Sequence, residues 1–181
     1  MKTIETFKKA IFLVFFLVLG SCGEGQKATP SNSGAGEKAG GEMPAEAGVA
    51  FSEETVEALF RNYLALRDAL VASDFENARH AVLSMKSQGL EAFPEIRETV
   101  GKLAEGTDLQ QLRTHFQPLS IQLSPILQES LQSGTIYKQY CPMAFENQGA
   151  FWYSESQDIL NPYYGSAMLR CGKVEETISR G

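Results

Sequence analysis

The sequence predicts a mainly α-helical domain: an antiparallel bundle of about four helices followed by a small C-terminal hairpin module that carries cysteine and methionine. Three observations lead there. Between Ser52 and Ser133 the apolar residues recur at helical spacing in four separate runs. Short stretches bearing Gly, Pro or Asp punctuate those runs. Beyond Gly134 the pattern turns to alternation and aromatic clusters, which suit strands.

The first helix starts after Ser52, a candidate N-cap, with Glu53 and Glu54 set against the positive end of the helix dipole. Val56, Leu59, Phe60, Tyr63, Leu66 and Leu70 form its apolar stripe, while Arg61, Arg67 and Arg97 read as solvated charges. Asp74 is placed to cap a second helix with Phe75, Ala78, Val82 and Met85 inward and Gly89 at its close. Pro94 suits the first turn of a third helix carrying Ile96, Val100 and Leu103, ending at Gly106. The fourth helix opens with Thr107 and Gln110 at capping-box spacing. Its stripe is Leu109, Leu112, Phe116, Leu119, Leu123 and Ile126; Pro118 and Pro125 predict a kink or a break.

The N-terminus carries an export pattern. Lys2, Lys8 and Lys9 precede an apolar run from Ala10 to Leu19, which is too short to span a bilayer as a helix. Leu19-Gly20-Ser21-Cys22 resembles a bacterial lipoprotein processing site, so residues 1–21 are expected to be a lipoprotein signal peptide and Cys22 the lipidated residue. The other reading is an ordinary signal peptide with a cysteine in that place. Residues 22–50, rich in Gly and Ala and lacking aromatics, are expected to be a disordered tether. Residues 51–133 then form the bundle, and 134–181 the Cys/Met module packed on it as one domain.

Processing would remove three lysines and one glutamate, taking the net charge from −6 to −8. A chain this acidic is a poor nucleic-acid binder, and its membrane partner would be reached through the lipid anchor. The expected place is the cell envelope, facing the periplasm or the cell surface. No triad, phosphate loop or haem-attachment motif is present, so no enzyme is expected. His80 and His115 stand alone, outside any ligand-spaced motif.

The chemistry lies in residues 140–172. Ile136–Tyr140 and Ala150–Tyr153 read as strands, Gly149 and Asn161-Pro162 as turns, and 165–171 as one or two helical turns. Met168 and Cys171 would then share a face at i and i+3, whereas Cys141 and Met143 would do so only if extended. A hairpin joining 141–143 to 168–171 gathers two thiols and two thioethers, soft donors suited to Cu(I). Trp152 is a second candidate there, through a cation–π contact, though an aromatic at this place reads first as packing. With Cys22 lipidated, Cys141 and Cys171 are equally an even pair for a disulfide in an oxidising compartment. On the residues alone the disulfide stands slightly ahead of a metal site, with unpaired structural thiols as the third reading.

Tyr140-Cys141-Pro142-Met143-Ala144, Gly149 with Trp152, Asn161-Pro162-Tyr163-Tyr164-Gly165 and Met168-Leu169-Arg170-Cys171-Gly172 closely resemble a numbered family, domain of unknown function 3347. Arg113, Phe116, Leu119 and Ser120 match its R-x-x-F-x-x-L-S pattern, and the resemblance spans about residues 55 to 176. The family includes small exported proteins and an extra domain on periplasmic adaptors of RND-type heavy-metal efflux pumps. The resemblance implies copper or silver handling, with Cu(I) or Ag(I) held by Cys141, Met143, Met168 and Cys171, and a pump adaptor as partner. The Cys-Pro-Met string is also similar to the C-P-M-H-P metal-binding segments of copper pumps, but Ala144 and Phe145 replace the last two residues. With the resemblance counted, metal binding stands ahead of the disulfide; the alternative remains an envelope interaction module stapled by Cys141–Cys171.

Overall fold

A computed structural model describes residues 48–181; the expected signal peptide, Cys22 and the expected tether, up to residue 47, lie outside the described residues. The chain enters through a two-residue strand β1 (Ala50–Phe51), then four helices: α1 (Glu54–Ala72), α2 (Phe75–Lys86), α3 (Pro94–Glu105) and α4 (Leu109–Ser130). Strands β2 (Leu131–Cys141), β3 (Ala150–Ser154) and β4 (Lys173–Arg180) follow. The described chain is thus largely helical, with a small antiparallel sheet at its C-terminal end.

Each helix buries most of the stripe expected of it, with Phe75 and Leu109 only partly covered. Val56, Leu59, Phe60, Tyr63, Leu66 and Leu70 line the inside of α1, and Ala78, Val82 and Met85 that of α2. Ile96, Val100 and Leu103 are buried on α3, and Leu112, Phe116, Leu119 and Leu123 on α4. At the end of α4 the buried position is Leu127, with Ile126 only partly covered. Helix α1 packs on α2, α2 on α3, α3 on α4 and α4 back on α1.

The caps differ from expectation at three ends, one of them the close of α2, where Ser87 and not Gly89 is the C-cap. Glu53, not Ser52, occupies the cap position of α1, and the Ser52 amide is drawn off to the carbonyl of Ser130 at 2.8 Å. Asp74 caps α2 as expected, accepting from the Asn77 amide at 3.0 Å. Helix α4 is capped one residue later than the Thr107–Gln110 pairing predicts. Asp108 accepts from the Gln111 amide at 2.8 Å, and the Gln111 side chain accepts from the Thr107 amide at 3.2 Å. The carboxylate takes the cap because it is the stronger acceptor.

Nor do Pro118 and Pro125 break α4, which runs unbroken for 22 residues. The carbonyls they orphan, one turn back, belong to Thr114 and Ile121, both exposed residues on the outer side of the helix. Arg67 is likewise no solvated charge. Its side chain is 12% exposed and holds Asp68, with Nη1 reaching the Tyr153 carbonyl at 3.5 Å. Arg61 does stand in solvent, paired with Glu57 at 2.9 Å.

Helix α4 passes directly into β2, the central strand. Beta3 pairs with it from Tyr137↔Ser154 to Cys141↔Ala150, and β4 from Gly134↔Arg180 to Tyr140↔Lys173, so the two flank it on opposite edges. The expected strand 136–140 is therefore longer at its N-terminal end, while β1 and β4 were not read from the sequence. Beta4 escaped because nearly all of Lys173–Arg180 is exposed and shows no apolar face.

The sheet joins the helices through a buried relay. The Tyr153 amide donates to Tyr63 Oη at 3.0 Å, and Tyr63 and Ser120 share a hydrogen bond of 2.8 Å. Ser120 gives its proton to the Phe116 carbonyl, which makes Tyr63 the donor to Ser120. Tyr63, stacked 4.9 Å from Phe116, belongs to one apolar cluster with Cys141, Trp152 and Tyr163.

Candidate metal centre

Cys141 is the last residue of β2, fully buried, and paired in the sheet with Ala150. Its Sγ lies 3.1 Å from that of Cys171, a half-buried residue just ahead of β4; both are free thiols. The register Tyr140↔Lys173 is what brings them together: each sulfur stands one step or two beyond the end of the β2–β4 ladder. The joining element is thus the β2–β4 pairing, and not a hairpin of 141–143 against 168–171.

Asn161 holds the Cys171 side of the site. It is fully buried, and its Nδ2 donates to the Cys171 carbonyl at 2.8 Å while Oδ1 accepts from the Tyr163 amide at 2.8 Å. Its backbone closes two further bonds, to Leu169 and from Gly165, so one residue ties the loop 161–171 into a ring. The sequence marked Asn161-Pro162 only as a turn; the Asx propensity to bond the backbone two residues on was the available signal. Around the ring, Arg113 donates to the Pro162 carbonyl at 2.9 Å, Tyr163 to the Phe151 carbonyl at 2.7 Å and Tyr164 to the Met143 carbonyl at 2.6 Å. Gln139, also unread in the sequence, is buried and donates to the carbonyls of Ser156 and Asp158.

The methionines are placed differently from each other. A 3-10 turn spans Gly165–Met168, and the Cys171 amide donates to the Met168 carbonyl at 3.0 Å, so Met168 and Cys171 belong to one turn as the spacing predicts. Met168 is half-buried. Met143 has helical backbone angles, φ −88 and ψ −9, so the chain leaves the strand before it and the condition for sharing a face with Cys141 is not met. Its residue is 46% exposed while Cys141 is sealed. The next turn, Ala144–Asn147, holds Phe145, Glu146 and Asn147 at positive φ, an unusual run closed by the Gly149 amide on the Ala144 carbonyl at 2.9 Å. Phe145 there packs edge-on against Tyr163, with centroids 5.3 Å apart.

Two glycines make the local packing possible. Gly149 has φ +81, and a Cβ there would fall on the hydroxyl of Tyr140. Gly172, at φ +147, lies so close under Trp152 that a Cβ would sit 3.0 Å from Cη2 of the indole. Trp152 is fully buried and meets Tyr163 edge-on at 6.0 Å, so its ring is committed to packing. His80 is exposed and His115 half-buried, and among the described residues no group of three or more His, Cys, Asp or Glu could hold a metal ion.

The chemistry available is that of two adjacent thiols. The Cys171 thiol is pushed above its ordinary pKa, first by its hydrogen bond with Cys141 and then by burial. A soft cation would have to displace both protons. Two thiolates and a thioether suit a monovalent soft ion, whereas zinc needs four nitrogen, oxygen or sulfur ligands. Cys141 and Cys171 would hold such an ion between their sulfurs, which would have to part from their 3.1 Å contact to admit it. Cys141 is fixed in the sheet, so the turn bearing Cys171 would make that adjustment.

A helical domain with a sheet that closes on a dithiol is the class of protein these elements define. Residues 59–134, from within α1 to the first residues of β2, match the family described as Protein of unknown function (DUF3347). The matched stretch contains Arg113, Phe116, Leu119 and Ser120 and ends before Cys141. No curated protein and no solved structure matches the chain.

Proposed function

We propose that this chain is a cell-envelope lipoprotein that binds Cu(I), or Ag(I), and buffers it or passes it to an efflux system. The observation that carries the reading is the thiol pair, 3.1 Å apart, with one sulfur sealed in the sheet and the other on a surface turn beside Met168. Cys141 and Cys171 are the thiolate ligands, Met168 the neighbouring thioether and Met143 an exposed thioether through which an ion arrives or leaves. The ion supplies no reaction: ligand exchange between sulfurs moves it, without turnover. Cys22 carries the lipid anchor and the segment ahead of β1 gives reach toward a periplasmic pump adaptor. The four helices serve as an antiparallel bundle that stiffens β2; the short connections between α1 and α2 and between α3 and α4, and the return of α4 onto α1, support that reading.

A second reading draws on the same contact. Bringing the sulfurs about 1 Å closer makes a disulfide, and Cys141 is as buried as a structural half-cystine. The chain would then be an interaction module that docks on an adaptor and binds no metal. Anaerobic titration of the reduced full chain with Cu(I) against a chromophoric chelator separates the two. The metal reading expects one ion held competitively, lost in Cys141→Ser and weakened in Met143→Leu/Met168→Leu. Failure of the wild-type chain to compete would overturn it in favour of the staple.

A further inference from the structure

The two sulfurs differ in what can reach them. Cys141 ends the central strand and is fully buried, while Cys171 is half-buried next to the surface-exposed Arg170 and Lys173. Between them is only the 3.1 Å contact. We propose that the pair is a redox-active dithiol that exchanges electrons with external disulfides, Cys171 being the entry sulfur and Cys141 the resolving thiol. The inference stands whether or not the pair binds metal, because it uses the sulfurs alone.

The exchange has two steps. Cys171 gives its proton to water and its sulfur attacks one sulfur of a small disulfide such as oxidised glutathione. The S–S bond breaks, one glutathione thiolate leaves with the electron pair and takes up a proton, and a mixed disulfide remains on Cys171. Cys141 then loses its proton and attacks Cys171 Sγ, already in contact with it, which expels the second glutathione. Two protein thiols have been oxidised by two electrons and one disulfide reduced to two thiols. Asn161 matters to the second step, since its bond to the Cys171 carbonyl keeps the turn from drifting away from Cys141.

The test uses the full chain carrying Cys22→Ser, reduced, stripped of metal and mixed with oxidised glutathione, with acid quenching and intact-mass analysis. The two-thiol chain is expected to lose two hydrogens without accumulating an adduct. Early quenching should catch glutathione on Cys171, and adding Cys141→Ser should make that adduct permanent. A chain with Cys171→Ser should react at least about tenfold more slowly in its native state and at an ordinary rate in denaturant, because Cys141 opens only with the fold. Glutathione mapped first to Cys141, equal native rates for the two single-cysteine chains, or a two-thiol chain that stalls at the adduct would each overturn the proposal. No step involves metal, so a negative copper titration leaves this result unchanged.

Discussion

The helical body and the C-terminal sheet are stabilised by different means. In α1 to α4 most of the inward positions are aliphatic, spaced by three and four, and one could replace another of like volume. In the sheet and its loop the contacts are individual. Asn161, Gln139, Tyr163 and Arg113 each satisfy named carbonyls, and Gly149 and Gly172 sit where no side chain fits. A stripe tolerates substitution, whereas a set of single contacts does not. The second region is therefore where a fixed pair of sulfurs can be built.

The difference is open to attack at several positions. Trp152→Ala removes the largest fully buried side chain and should cost about 3–5 kcal/mol, read by urea unfolding. One cooperative transition is expected, because Trp152 belongs to the same cluster as Leu59 and Phe116. A sheet that melted separately would break the picture of a shared core.

Glycine to alanine sharpens the contrast by sign. At Gly149 the new Cβ would land on Tyr140 at a positive φ, and about 1–3 kcal/mol should be lost. At Gly101, inside α3 with nothing within 4 Å of a built Cβ, the same change should gain about 0.5–1 kcal/mol. Thermal melts of the two variants should move in opposite directions. Smaller still is a cap: Asp108→Ala should cost about 1 kcal/mol of global stability without altering the reactivity of either cysteine.

The helices were legible because burial in them follows one period. Leu59, Tyr63, Leu66 and Leu70 declare a face by spacing alone, and Asp74 and Pro94 announce two of the starts. Ser52 misled because the helix begins one residue later, with Glu53 in the cap position, while the Ser52 amide pairs with the Ser130 carbonyl 78 positions away. The prolines of α4 do not bring the break that was one of the two outcomes expected of them, because the residues one turn back lie on the exposed side of the helix, which spacing alone does not reveal. In the site, the meeting of Cys141 with Cys171 was foreseen, but the element that joins them was not. Beta4 has no buried face to advertise it, and its register with β2 is a long-range property. Asn161 showed only as a turn former, since its four bonds exist only once the loop has closed.

The family match lies over the helices, while the chemistry lies on the sheet. The claim that links them is that Cys141 and Cys171 together bind a soft ion. X-ray absorption at the copper edge of the reduced full chain, loaded with one equivalent of Cu(I), tests it most directly. A first shell of sulfur alone, with the spectrum changed when Cys171 becomes serine, is the expected result. A shell of nitrogen or oxygen, unaltered in that variant, would contradict it.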